Sequence, residues 1–309
     1  MYEELADNEE SRYIKSSYEA RIAECYRYLN DSKKAEVAYK KLANQKTIRD
    51  KETRYWYAYY LLKNEKYEEA EKNFKLYKKS QPKDERAANG IASCSLAVAY
   101  TEHPTRYIVE NVKPLNSKYN DFSPMYFDNS YDVVYFTSSR IEEGVKPRIN
   151  QVSGMNYTNV YEARFDRKNK WKAPELIADS TINSDFDDGT VSITSDGFTM
   201  YFTRCLQETG KKIGCQIYKN AYKNGSWNST ELQEIVPDSI SIGQPAISPD
   251  GLTLYFASRM KGSHGGSDIW KVERTAANTP WGRPINLGSE INTPGDEMFP
   301  YVRLDGTLY

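Results

Sequence analysis

Ala246–Arg259 reads AISPDGLTLYFASR, two short apolar runs hinged on Pro249-Asp250-Gly251. Asp-Gly supplies the positive φ angles that a tight hairpin turn requires. The run after it alternates Leu254 and Phe256 with Thr253 and Tyr255, the period of a strand with one buried face. The phrase returns as SITSDGFTMYFTR (192–204), as FSPMYFDNSYDVVYFTSSR (122–140) and as FPYVRLDGTLY (299–309), where the chain stops. The architecture is legible from this repetition.

Each hairpin is followed by the same parts. A third strand recurs as NVYEARF (159–165), CQIYKNAY (215–222) and DIWKVER (268–274), and a tryptophan follows each: Trp171, Trp227 and Trp281. The hairpin tyrosines Tyr135, Tyr201, Tyr255 and Tyr309 are spaced by 66, 54 and 54 residues. A junction phrase repeats as LNSKYNDFSP, INSDFDDG and INTPGDEMFP, around Asn116, Asn183 and Asn292. Four strands recurring at this interval is the pattern of a β-propeller, in which a sheet that cannot bury both faces alone is packed between neighbours. Three blades and the start of a fourth are too few to close a ring. The expectation is therefore an incomplete propeller belonging to a longer protein. RYIVENVKPLNS (106–117) stands in the place of a fourth strand with no blade before it, so it is expected to complete a last blade beyond residue 309.

Before residue 104 the pattern is helical, in YEARIAECYRYL and YEEAEKNFKLYKK. A shift of 35 residues superposes Ala23 on Ala58, Ala35 on Ala70 and Tyr39 on Phe74. Small residues allow helices to approach at a crossing, aromatic ones fill the space between neighbours, and Pro82 ends the second unit. KYEEAEKNFKLYKKSQPKD (66–84) resembles the second half of a tetratricopeptide unit, with alanine in place of the usual first-helix glycine. Residues 84–100 are expected to form a further, capping helix. In such an array Tyr55, Tyr59 and Lys63 face the inner groove with Glu24 and Tyr28 below them, as a surface for a partner protein. The alternative is that these tyrosines pack against the next domain.

The fold class expected is thus α + β multidomain, with tetratricopeptide-like repeats over 1–104 and a β-propeller, truncated at its C-terminal end, over 105–309. Charge does not point to nucleic acid: 42 basic residues stand against 43 acidic ones. No apolar run is long enough to span a membrane, and MYEELADNEESRY is not a signal peptide, so the protein is cytosolic or its start has been removed. Cys25 and Cys94 lie in helical patterns and read as small core residues. Cys205 closes one strand and Cys215 opens the next. Paired as a hairpin they lie opposite one another within disulfide reach, which would imply an oxidising compartment.

SPDGLTLYFASR and GGSDIW resemble the WD-like repeat of TolB-type propellers. INTPGDEMFPYVRLDGTLY and LNSKYNDFSP are similar to the propellers of large Bacteroidetes envelope proteins that join tetratricopeptide repeats, a propeller and an OmpA-like domain. This resemblance covers nearly the whole chain and the order of its parts. It implies a non-enzymatic scaffold in the periplasm, associated with the outer membrane, whose partners are other envelope or type IX secretion proteins. Peptidoglycan is implied only through a C-terminal domain outside these residues. The alternative is the gating propeller of a prolyl-oligopeptidase-like peptidase, with the catalytic domain elsewhere; sugar or small-ligand binding in the channel is a third possibility.

No catalytic residue, metal ligand or cofactor is assigned. The chain has no G-x-S-x-G elbow, and His103 and His264 read as loop residues. NSDFDDG (183–189) gathers three aspartates but lacks the glycine and distal glutamate of a calcium loop, so a turn explains it. HGGSDIW has neither the lysine nor the following helix of a phosphate loop. Asp238-Ser239-Ile240 looks like a short O-glycosylation motif of the same bacteria.

Overall fold

The computed structural model describes residues 2–9, 11–45, 50–151, 153–177, 181–206 and 214–309. The chain divides into two compact units, Met1–Val109 and Glu110–Tyr309. The described residues form six helices and three four-stranded antiparallel sheets; no closed ring of sheets is formed among them.

The first unit contains α1 (Tyr2–Asp7), α2 (Arg12–Tyr28), α3 (Ser32–Ala43), α4 (Thr53–Lys63), α5 (Tyr67–Ser80) and α6 (Glu85–Glu102). Each helix packs on the next, and α4 also touches α6. The residues related by the 35-residue shift are its core: Ala23, Ala35, Ala58 and Ala70 are completely buried, and Tyr39 and Phe74 nearly so. Asp31 and Asp84 cap α3 and α6, accepting from the backbone N–H of Lys34 and Arg86. Cys94 lies in this core, but Cys25 is exposed, correcting its placement there. The buried stripe of α2 runs through Glu19 and Ala23, and residue 25 falls off it.

Several tyrosines in this unit hold their phenolic protons tightly, Tyr39, Tyr57 and Tyr77 most of all. Burial pushes Tyr39 up to about 12. Burial and the hydrogen bond donated to Asp84 push Tyr77 up to about 12 as well, and burial with the bond to Glu69 raises Tyr57. A folded-state pKa above the unfolded one contributes stability that is intact below the unfolded value and is lost as pH rises through the folded value. The helical circular dichroism of the unit should therefore decay between about pH 10 and 12, with a late-rising tyrosinate absorbance in step. Tyr39→Phe should shift that decay to higher pH; phenolate formation at constant helicity would contradict this account.

In the second unit the sheets follow the chain: β1 (Asp121–Tyr126), β2 (Val133–Ser138), β3 (Asn159–Arg164) and β4 (Glu175–Leu176); β5 (Asp187–Ile193), β6 (Thr199–Cys205), β7 (Cys215–Lys223) and β8 (Ser226–Leu232); β9 (Ile242–Ile247), β10 (Thr253–Ser258), β11 (Asp268–Glu273) and β12 (Ile285–Asn286). Each sheet is a meander in sequence order. Alternation sends Val133 and Tyr135 into a core shared with Val191, Ile193, Met200 and Trp227 of the second sheet. Val134 and Phe136 point to the other face, with Tyr161 and Ala163. Tyr201 and Ile217 form the next shared core with Ile247, Leu254 and Val272 of the third sheet. The last hairpin is present as Val302 opposite Leu308. No strand is assigned over 106–117, where a strand was expected; Ile108 and Val109 are almost fully exposed. An isolated strand has no partner for its backbone groups, so this segment stays irregular.

The first strands of the sheets lie together, β5 touching β1 on one side and β9 on the other. All three carry a bulge, at Phe122/Met125, Gly189/Ser192 and between Gly243 and Ala246. At the bulge the chain enters the left-handed region, at Ser123, Thr190 and Gln244, and does so again at Phe299 (φ 51–58°). Such a conformation is costly for a side-chain-bearing residue and persists only where its surroundings hold it. The holding contact repeats. Thr190 N–H donates to Thr137 Oγ1 of the first sheet at 2.7 Å, and Gln244 N–H donates to Thr203 Oγ1 of the second at 2.8 Å. In the third sheet Ala257 occupies the threonine position, and Phe299 N–H donates to the Gln244 side chain instead, at 2.8 Å. Glycine precedes two of these residues because the threonine lies so close: a Cβ on Gly189 would stand 2.3 Å from Thr137, and one on Gly243 3.0 Å from Thr203.

Candidate functional site

The repeated polar motifs resolve first, because they prove to be structural. The junction asparagines act as strand surrogates. Asn183 accepts from Val160 N–H and donates to Val160 C=O, and Asn292 does the same with Ile269. The Asn116 side chain clasps no strand among the described residues and donates instead to Asn111 Oδ1. The three aspartates of NSDFDDG have separate partners: Asp185 pairs with Arg148, Asp187 accepts from Asn150 and Thr158, and Asp188 from Ser184 and Arg204. Among the described residues no group of three or more His, Cys, Asp or Glu could hold a metal ion.

The arginines closing the hairpins belong to the same framework. Arg140 pairs with Asp121 and lies over the rings of Phe136 and Tyr161; Arg204 pairs with Asp188 and lies over Phe202 and Tyr218. The glycines of HGGSDIW admit backbone rather than phosphate. A Cβ on Gly265 would stand 2.4 Å from the main chain at Thr293–Pro294, and Gly266 N–H donates to Gly295 C=O at 2.7 Å.

Two surfaces remain. In the second unit a cavity of about 740 Å³ opens where β1, β5 and β9 begin. Its wall includes Phe122, Thr190, Gln244 and Phe299, with Cys205 and Cys215. The two cysteines are directly opposed at the end of the β6–β7 ladder and are joined by a disulfide. Cys215 N–H also donates to Ser241 Oγ, tying this hairpin to the third sheet. Closing so short a loop is worth about 2–3 kcal/mol, so reduction should lower the urea midpoint of the second unit accordingly. Thiol counting checks the assignment. The folded protein should show one reactive thiol, the exposed Cys25, and the unfolded unreduced protein should add only Cys94. Two further thiols before reduction would contradict it.

The other surface lies in the helical unit, where the five residues expected to line a groove have unlike environments. Tyr28 is 77% exposed and Tyr59 36%. Lys63 is exposed and donates to Asn30 Oδ1. Glu24 is half-buried and pairs with Arg21 on its own helix. Tyr55 points inward: its ring lies 5.8 Å from that of Phe74 and 5.5 Å from that of Tyr77, with Arg86 over it at 4.5 Å. Tyr28, Tyr59 and Lys63 thus remain on the open face of α2 and α4. The structure adds Arg27 and Trp56, which join the two helices: the Arg27 guanidinium lies 4.5 Å from the Trp56 ring centroid and 4.4 Å from that of Tyr28. Trp56 in turn meets Tyr59 edge-on at 5.7 Å. Neither residue follows the 35-residue repeat, which is why sequence periodicity passes over them.

No family model and no curated protein matches this chain. Solved structures similar to it include a putative TolB from Agrobacterium tumefaciens (16% identity, TM-score 0.36, covering 57% of this chain and 48% of that one). A puromycin-hydrolyzing peptidase from Mycobacterium tuberculosis has 12% identity and a TM-score of 0.38, over 62% of this chain and 27% of its own. An endo-arabinase from Bacteroides thetaiotaomicron VPI-5482 has 18% identity and a TM-score of 0.37, over 57% and 64%. The chain thus spans less than two thirds of each of these proteins. Among the described residues no helix is long and apolar enough to cross a membrane.

Proposed function

We propose that this chain is a non-enzymatic scaffold of the periplasm, built from tetratricopeptide-like helical repeats and part of a WD-like, TolB-type propeller. In this reading the helical unit grips one envelope or secretion protein and the propeller another. A longer parent carries an OmpA-like domain that ties the assembly to peptidoglycan, at the outer membrane or in a type IX secretion complex. The observation that carries the reading is the open face of α2 and α4, where Tyr28, Trp56 and Tyr59 are gathered around a cation. Aromatic rings with arginine are the residues that dominate protein–protein interfaces. The disulfide fits an oxidising compartment. The polar motifs with clear partners serve packing, which favours a scaffold over catalysis.

The test is crosslinking and recovery of partners from envelope extracts with the parent and with a Tyr28→Ala/Tyr59→Ala double variant. Tyr55 is unsuitable, since its ring packs against α5 and α6 and its loss would disturb the fold. Loss of specific partners from the double variant, with helicity unchanged, supports the reading. Equal recovery removes the helical face from the binding surface.

A further inference from the structure

The open face of α2 and α4 holds a cation with no carboxylate paired to it among the described residues. Arg27 is flanked by the rings of Tyr28 and Trp56, and its Nε is buried without a hydrogen-bond partner. Among the described residues it makes no ion pair with a carboxylate. The acids around it are engaged elsewhere: Glu24 pairs with Arg21, while Glu52 pairs with Arg86 and accepts from Trp56 Nε1. Lys63 of the same face bonds to the neutral amide of Asn30 rather than to an acid.

A half-buried guanidinium without a counter-charge is unfavourable for the free protein. The rings hold its planar fork in place, and its hydrogen-bonding neighbours, the Tyr28 and Tyr39 hydroxyls, are neutral, so a carboxylate arriving at the open side of the fork would supply the missing charge. The flanking rings also lower the local dielectric, which strengthens a charge-assisted bond made there.

We infer that Arg27 is an anion-receiving residue and that the segment gripped by this face is an acidic peptide, its carboxylate on Arg27 and its apolar side chains on Tyr28 and Tyr59. This rests on the reading of α2 and α4 as a partner-binding face. It adds the chemical class of the partner, from two cations that no acid among the described residues pairs with.

The test uses the whole chain and two fluorescein-labelled octapeptides, Gly-Asp-Phe-Asp-Glu-Leu-Asp-Gly and its Asn/Gln counterpart, followed by fluorescence anisotropy at low and moderate salt. The acidic peptide should bind at least about tenfold more tightly than the amide one, with the advantage shrinking as salt rises. Arg27→Gln should abolish the difference. Arg27→Lys, which keeps the charge but loses the fork, should retain part of it and guards against a folding defect in the first variant. Equal binding of the two peptides, or an acidic preference unchanged in Arg27→Gln, overturns the inference. If both bind equally and Tyr59→Ala weakens both, the face still binds partners and only the acidic preference fails. If neither binds, the partner-binding reading falls with it. Displacement of the acidic peptide by a thymidine dodecanucleotide at lower concentration than by unlabelled peptide would reassign the cation to phosphate and also count against the proposal.

Discussion

Trp227→Ala should lower the stability of the second unit by about 3–5 kcal/mol, the cost of emptying a large aromatic site that cannot collapse. Trp227 is 5% exposed and sits between the first two sheets, its ring in edge contact with Phe127, Tyr135 and Tyr222 at 5.0–6.1 Å. Its Nε1–H donates to Tyr135 Oη at 3.2 Å, across the joint between sheets. Tyr135 is itself 1% exposed, so truncation leaves a buried phenol without this donor as well as a void. Trp227→Phe separates the two effects: it keeps most of the ring and loses only the hydrogen bond and part of the volume, at about 1–2 kcal/mol. Urea unfolding followed by near-ultraviolet circular dichroism reads both. Equal losses for the two variants would place the effect in the hydrogen bond and not in the ring, and an unchanged midpoint for Trp227→Ala would show that the sheets do not depend on this contact.

The second large effect is expected at Asn292, which is 1% exposed and replaces a missing strand residue. Its side chain satisfies both backbone groups of Ile269 and also donates to Asn286 Oδ1. Asn292→Ala removes the donor and the acceptor together: the N–H of Ile269 is left unpaired, while its C=O keeps only the bond from Leu287 N–H, at about 1–3 kcal/mol. Asn183→Ala should behave alike, because Asn183 makes the same pair of bonds to Val160. Asn116→Ala is the internal control. The same junction phrase surrounds it, yet the residue is exposed and clasps no strand, so its loss should cost less than about 0.5 kcal/mol. Three similar losses along this series would mean that the asparagines act through their turns and not through the strands they contact.

Much of the architecture was legible in the sequence because it is local. Leu254 and Phe256 are fully buried while Thr253 and Tyr255 are only partly so, the alternation visible in LTLYF. The alanines related by the helical repeat are core residues because a tight crossing excludes anything larger. Cys205 and Cys215 could be placed opposite each other by counting along one hairpin. The candidate site was only half legible. Tyr55 and Tyr59 are one helical turn apart and equally aromatic, and α4 offers no internal reason to bury one and expose the other. The choice was made by Phe74, Tyr77 and Arg86, which come from other helices. Arg27 and Trp56 were missed for the same reason, since their contact joins two helices and leaves no periodic trace.

By itself, the sequence determined where the hairpins and helices lie and which face of each is apolar, because turn chemistry and side-chain period act over a few residues. Only the tertiary structure decided what the repeated polar residues do. Thr137 and Thr203 hold a left-handed residue in the next sheet, and Asn183 and Asn292 stand in for absent strand neighbours. The physical reason is that a buried backbone N–H or C=O must find a partner wherever packing leaves it, and that place exists only once the sheets have come together.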